Sequence, residues 1–366
     1  MEVAGISKQS RPGAIRAFLY HPGSVIISAM KRKILIIYAG GTIGMQASEK
    51  GYAPVAGFEQ RLRAQLSRTT GLSELPAFEV LELEQLIDSA NLQPHHWTEL
   101  GGIITAHWQQ YDGFLLLHGT DTMAYTASML SFMLQGMDKP VIVTGSQIPL
   151  AQLRNDALDN LLTSLMFVAG DAIPEVCICF NGRLLRGNRA SKLKSSGLDA
   201  FDSPNYGWLG QAGINIELHA ERLLQSGTAD FKIPDFNPDA VVILPVYPGI
   251  SARIARDLLS NPAVKGVVLH TYGAGNPPDA NGELMAELDN AVRRGVTIVN
   301  VTQCLQGQVS QGAYATGATL NRIGVIPGSD LTLEAAFTKL HYLLATQPAD
   351  QVKGLMLQSL CGEMTQ

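Results

Sequence analysis

The chain has 366 residues, of which 46% are hydrophobic and 16% charged, and its formal net charge is −5. That length can bury a large core and favours two domains, and the charged share falls below the roughly 25% of an average domain, which points to much covered surface, an oligomer interface included. An acidic balance, with no lysine or arginine cluster long enough to track phosphates, argues against a nucleic-acid partner, and no apolar stretch is long enough to span a membrane.

Taken in chain order, residues 1–29 come first and show no periodicity: Arg11, Arg16 and His21 punctuate Ala14-Ile15 and Val25-Ile26-Ile27. They lack the continuous apolar region and small-residue cleavage site of a signal peptide. They are expected to form a poorly ordered extension, and Met30-Lys31-Arg32-Lys33 opens the first good strand as many cytoplasmic proteins begin. Short apolar runs bounded by breakers predict buried parallel strands at 33–38, 78–83, 113–118, 140–144 and 175–180, then at 240–246, 265–270 and 296–301. Between the third and fourth, Tyr125, Met129, Phe132 and Met133 fall on one helix face. Between the fourth and fifth, Asn155 or Asp156 is expected to cap a helix running through Leu158, Leu161, Leu162, Leu165 and Phe167. Such alternation predicts an α/β fold with a mainly parallel sheet. The pattern lapses over 215–239, where Pro234 and Pro238 precede a new strand. This stretch reads as a linker between a catalytic α/β domain at 30–214 and a smaller α/β domain at 240–366.

The cysteines are Cys177, Cys179, Cys304 and Cys361. Cys177 and Cys179 alternate on one strand and so face the same side, a poor arrangement for a disulfide. No second pair supplies zinc spacing. A reducing, cytoplasmic setting is the simplest reading.

Two threonines carry the chemistry. The first strand ends in Ala39-Gly40-Gly41-Thr42-Ile43-Gly44, and the third in His118-Gly119-Thr120-Asp121-Thr122-Met123. In an open α/β sheet, ligands bind beyond the carboxyl ends of the strands, so two hydroxyls and a carboxylate are expected to converge on one crevice. The first turn lacks the spacing of a dinucleotide or phosphate loop. The second also reads as a helix N-terminus, with Thr120 or Asp121 as its cap. A threonine hydroxyl needs a base or charged neighbour to act as a nucleophile. Lys192 and Lys194, in the loop after the fifth strand, and Tyr52, on the stretch after the first turn, are the candidates alongside Asp121. His118 and His270 end strands without a second ligand at metal spacing, and His95-His96 before Trp97 reads as an ordinary helix start.

Together with Val143-Thr144-Gly145-Ser146-Gln147, Arg186-Gly187-Asn188-Arg189, Phe201-Asp202-Ser203-Pro204-Asn205 and Gly312-Ala313-Tyr314-Ala315-Thr316-Gly317, these turns resemble the bacterial-type L-asparaginases, and more closely their cytoplasmic type I branch, over residues 31–366. The resemblance implies a flavodoxin-like N-terminal domain, a smaller C-terminal α/β domain, and hydrolysis of L-asparagine without metal or organic cofactor. It implies Thr42 as nucleophile, Tyr52 beside it on a mobile loop, and Thr120, Lys192 and Asp121 as a hydroxyl–lysine–carboxylate relay. It also implies Asp88 and Ser89 in the substrate-binding turn, with Ser89 on the α-carboxylate and Asp121 on the α-ammonium group, and active sites between subunits of a homodimer, commonly paired into a homotetramer. Two departures stand out. Ala90-Asn91 follows Ser89 where relatives carry polar or acidic side chains, which bears on affinity. His270 occupies the place of an arginine in a regulatory asparagine site that also uses a turn matching Thr302-Gln303-Cys304. Imidazole cannot reproduce guanidinium's two-pronged grip on a carboxylate, so activation by asparagine is expected to be weak or absent. An amidase subunit of a tRNA-dependent amidotransferase shares the motifs but usually carries an extra N-terminal domain, for which 30 unpatterned residues are too few. A nucleotide- or amino-acid-binding module would explain the glycine-rich turns but not the coincidence of Thr42, Thr120, Asp121 and Lys192.

Overall fold

The computed structural model describes residues 32–49, 51–68, 75–312 and 315–365. The N-terminal extension and the Ala313-Tyr314 part of the last motif lie outside them. All eight runs expected to be strands are strands. In the first sheet these are β1 (Lys33–Gly40), β2 (Ala77–Ile87), β3 (Gly113–Leu117), β4 (Val141–Thr144) and β5 (Val176–Phe180). Three strands that apolar patterning does not reveal extend the same sheet: β6 (Arg183–Arg186), β7 (Gly210–Ala212) and β8 (Ile216–Leu218). The spatial order is β8-β7-β6-β5-β4-β3-β1-β2. Pairing is parallel from β2 to β5 and antiparallel from β5 to β8.

The 2-1-3-4-5 order of the parallel strands is the flavodoxin-like one, with its reversal between β1 and β3. Both sheet faces are covered, which is why β1, β3 and β5 are apolar on nearly every residue rather than alternating. Leu35, Ile37, Phe114 and Ile178 face helix α1 (Met123–Met133) in one core, whereas Ile34, Ile36, Leu115, Cys177 and Cys179 face helix α2 (Ala157–Ala169) in another. The two same-facing cysteines are buried, and both are free thiols.

A second, smaller sheet follows: β9 (Val241–Pro245), β10 (Gly266–Thr271), β11 (Thr297–Thr302) and β12 (Ile326–Pro327), all parallel. Residues 215–239 hold β8, a single 3-10 turn at Ala220–Arg222, and the two-residue strand Asp230–Phe231, which pairs with Leu134–Gln135 at the end of α1. Helix α3 (Leu333–Thr346) lies between the domains. Its Ala335, Ala336, Leu340 and Leu343 share one core with Met129 and Met133 of α1 and with Val268 and Val299 of the second sheet. Across that junction Thr338 donates to Ser128 Oγ at 2.9 Å in a buried hydrogen bond.

Candidate active site

The reversal of strand order opens a crevice between the ends of β1 and β3, and glycines let the bordering turns close to contact. Gly40 and Gly41 have φ of +122° and +83°, a region that L side chains rarely adopt. A Cβ on Gly40 would lie 2.4 Å from the Ile87 carbonyl oxygen at the end of β2, and one on Gly41 would lie 2.4 Å from the Gly119 nitrogen. A Cβ on Gly119 would in turn lie 2.3 Å from Ser89 Oγ. Three strand ends are thus stitched together at positions where only hydrogen fits. Thr42, Ser89, Thr120 and Asp121 gather around that seam.

Lys192 reaches the seam from a short hairpin in which Ser191–Lys192 pairs with Phe201–Asp202. Its Nζ lies 2.8 Å from Thr120 Oγ1 and 2.7 Å from Asp121 Oδ1. Thr120 is buried, while the Asp121 side chain is 61% exposed and open to a ligand. The backbone N–H of Asp121 donates to Ser89 Oγ at 3.3 Å, and Thr122 Oγ1 donates to the Ser89 carbonyl at 2.8 Å. Helix α1 starts at Met123 behind Thr122, with no side-chain cap. Neither Thr120 nor Asp121 caps it, because both side chains turn to the lysine.

The other expected residues divide. Thr42 opens a 3-10 turn (Thr42–Gly44) at the seam, and no described residue hydrogen-bonds its hydroxyl. Asp88 accepts from the Ala90 N–H at 3.2 Å, so its carboxylate closes its own turn. Tyr52 stands on the hairpin Met45–Ser48/Gly51–Pro54, 52% exposed, and its hydroxyl accepts from Gln152 Nε2 at 2.5 Å rather than meeting Thr42. Lys194 is not at the site: it pairs with Asp199. In the second domain, His270 Nε2 lies 3.0 Å from the Thr302 carbonyl oxygen. The Thr302 hydroxyl donates to Gly273 O and accepts from the Cys304 N–H at 3.0 Å. His270, Thr302 and Cys304 therefore form one cluster at the ends of β10 and β11.

Two residues named in the sequence, His118 and Gln147, have bonding at the site that the sequence did not indicate. Burial pushes His118 down to about 4, so its ring is neutral. Its Nδ1–H donates to the Gly119 carbonyl at 2.7 Å, its Nε2 accepts from Thr126 Oγ1 at 3.0 Å, and Thr126 accepts from Trp97 Nε1 at 3.2 Å. This chain orients the peptide before Thr120. The second is Gln147, whose Oε1 accepts from Thr120 Oγ1 at 3.3 Å. In the sequence it ends the Val143–Gln147 motif just past β4, at the same carboxyl edge as the other turns, with nothing to mark its bond to Thr120.

A flavodoxin-like sheet carrying hydroxyl, ammonium and carboxylate groups at its switch point, followed by a smaller parallel domain, defines a two-domain α/β enzyme scaffold. The chain belongs to the asparaginase family: the N-terminal asparaginase model matches residues 33–224, and the glutaminase/asparaginase C-terminal domain model matches residues 240–356. It is 47% identical over 336 residues to L-asparaginase 1 of Escherichia coli strain K12, covering 92% of this chain and 98% of that one. The crystal structure of L-asparaginase I from Vibrio cholerae is 47% identical and matches with a TM-score of 0.84 over 92% of this chain and 100% of that one. The thermostable L-asparaginase from Thermococcus kodakarensis, 32% identical, matches with a TM-score of 0.82 over 91% and 99%.

Proposed function

We propose that the protein hydrolyses the side-chain amide of L-asparagine to L-aspartate and ammonia. The observation that carries this reading is Lys192 Nζ lodged between Thr120 Oγ1 and Asp121 Oδ1 at the seam that also holds Thr42. Thr42 Oγ attacks the amide carbon, and its proton passes to the departing ammonia. Water then cleaves the resulting ester, frees aspartate and restores the hydroxyl. Thr120, Lys192 and Asp121 form the relay that moves protons in these steps, a contribution of about 10²–10⁴ in rate. Backbone N–H groups of the glycine-rich turns stabilise the oxyanion, each worth roughly 3–4 kcal/mol. Asp121, exposed and anionic, takes the α-ammonium group, and the turn at Asp88-Ser89 takes the α-carboxylate. Tyr52 closes over the site by releasing Gln152. The working form is a cytoplasmic homodimer or homotetramer, in keeping with the low charged share of the chain.

The test is ammonia release from L-asparagine by the wild type, Thr42→Ala and Thr120→Val. Turnover by the wild type, lost in both folded variants, supports the two-threonine site. Turnover that survives Thr42→Ala removes Thr42 as nucleophile, and no turnover in the wild type favours a binding module. Size-exclusion chromatography with light scattering checks the assembly, a monomer being the contrary result.

A further inference from the structure

Gln147 is held from three sides. Its backbone N–H and that of Ile148 donate to the two oxygens of Asp156 at 2.9 Å each, and Ser146 Oγ donates to the Ile148 carbonyl at 2.7 Å, so the turn beneath the side chain is fixed. Its Nε2 donates to the carbonyls of Ser195 and Gly197, both at 3.1 Å. With both amide hydrogens so engaged, a flipped amide would set oxygen against two carbonyl oxygens. Oε1 is therefore committed to Thr120 Oγ1, 3.3 Å away.

Thr120 Oγ1 stands between a donor and an acceptor. A lysine ammonium has only hydrogens to give, so Lys192 donates to Thr120 across 2.8 Å, and the single Thr120 hydrogen goes to Gln147. At 3.3 Å the second bond is longer than the usual O–H···O range, which makes it the exchangeable one. When Lys192 gives up a proton, Thr120 can turn its hydrogen to Nζ, and Gln147 loses its partner. The amide acts on a second element too: Ser195 and Gly197 belong to the segment that follows Lys192, so both arms of the proton relay are referred to one side chain.

We propose that Gln147 is a positioning residue that sets the direction of the Thr120 hydroxyl hydrogen and anchors the segment carrying Lys192. The proposal rests on the reading of Thr120 and Lys192 as the working pair.

Steady-state kinetics on L-asparagine would be measured for the wild type, Thr120→Val, Gln147→Leu and Gln147→Glu, with thermal melts to confirm folding. Gln147→Leu loses both ends of the amide and is expected to lower kcat roughly tenfold to a hundredfold with KM within about threefold. Gln147→Glu keeps an oxygen toward Thr120 but can donate to a carbonyl only when protonated. Its kcat relative to the wild type is expected to recover as pH falls toward the carboxylic range, a response that lost packing would not give, and this variant decides the matter should the leucine form not fold. An unchanged kcat in folded Gln147→Leu, or a rise in KM alone, overturns the proposal while Thr120→Val still abolishes turnover. Turnover that survives Thr120→Val overturns the underlying reading, and the proposal with it.

Discussion

His270 donates through Nε2 to the Thr302 carbonyl, which leaves Nδ1 as an acceptor, and burial lowers the affinity of the ring for a proton. A neutral imidazole left with only an acceptor offers a carboxylate no hydrogen, where a guanidinium would clasp it. Rate against asparagine concentration is therefore expected to be hyperbolic, and a Hill coefficient well above one would contradict this. In the proposed mechanism Lys192 is the proton carrier of the relay, so Lys192→Met is expected to lower kcat by about 10²–10⁴. Asp121→Asn is expected to raise KM and lower kcat together, since in the proposed mechanism the exposed carboxylate both serves the relay and meets the substrate cation. A KM unchanged in Asp121→Asn would move the α-ammonium site elsewhere. Thr42, Thr120 and Asp121 were legible in the sequence because each follows an apolar strand directly, and strand ends are where a parallel sheet binds. Gln147 ends a motif quoted from the sequence, but its bonding was not legible, because what defines it is two carbonyls about fifty residues away, and carbonyls leave no mark in a sequence.

Among elements, the glycine seam is the demanding one. Gly41→Ala would force its turn away from Gly119 as well as straining a left-handed φ, so activity and melting temperature should fall together. Gly249 supplies the control: φ is +82°, but an added methyl there would meet nothing within 4 Å, so Gly249→Ala should cost only about 1–2 kcal/mol of strain and leave kcat intact. Equal losses of activity in the two variants would deny the seam its role. Most of the strands that patterning found are buried on both faces, while β2 and β9, at sheet edges, are partly exposed. Those it missed are short or polar: Gly210–Ala212 and Ile216–Leu218 have three residues each, and Ile326–Pro327 has two. Segments of two or three residues are too short for hydrophobic periodicity to register, even where a side chain such as Ile326 is buried. Capping was half legible. Asn155 Oδ1 accepts from the first helical N–H groups of α2, at 3.1 and 3.3 Å, while Asp156 turns its carboxylate to Gln147 and Ile148.

At the scale of the whole molecule, buried ionisable groups set the limits of stability. Arg189 pairs with Asp330 at 2.7 Å, with the two side chains 2% and 8% exposed. Arg189 also donates to the Gly362 carbonyl at 2.8 Å, and Thr365 N–H donates to Asp330 at 2.8 Å. Arg189→Ala strands a buried carboxylate and is expected to cost about 3–5 kcal/mol, read as a lower urea midpoint. Acid should act through two histidines. Burial pushes both His118 and His341 from 6.5 down to about 4. As pH falls from 6.5 to 4, the unfolded chain takes up protons that the folded one refuses, so roughly 3 kcal/mol per histidine is lost over that window. Glu334, held above its ordinary value by burial, works in the opposite sense over the carboxylate range. Urea midpoints that stay level between pH 7 and 4.5 would count against buried neutral rings.

Helix α3 gives this molecule one further property. It follows the second sheet in the chain, yet its apolar face completes a core begun by α1 in the first domain. Neither half can close that core without the other. The two family domains should consequently melt in a single calorimetric peak, with van't Hoff and calorimetric enthalpies in agreement, as one cooperative unit rather than two.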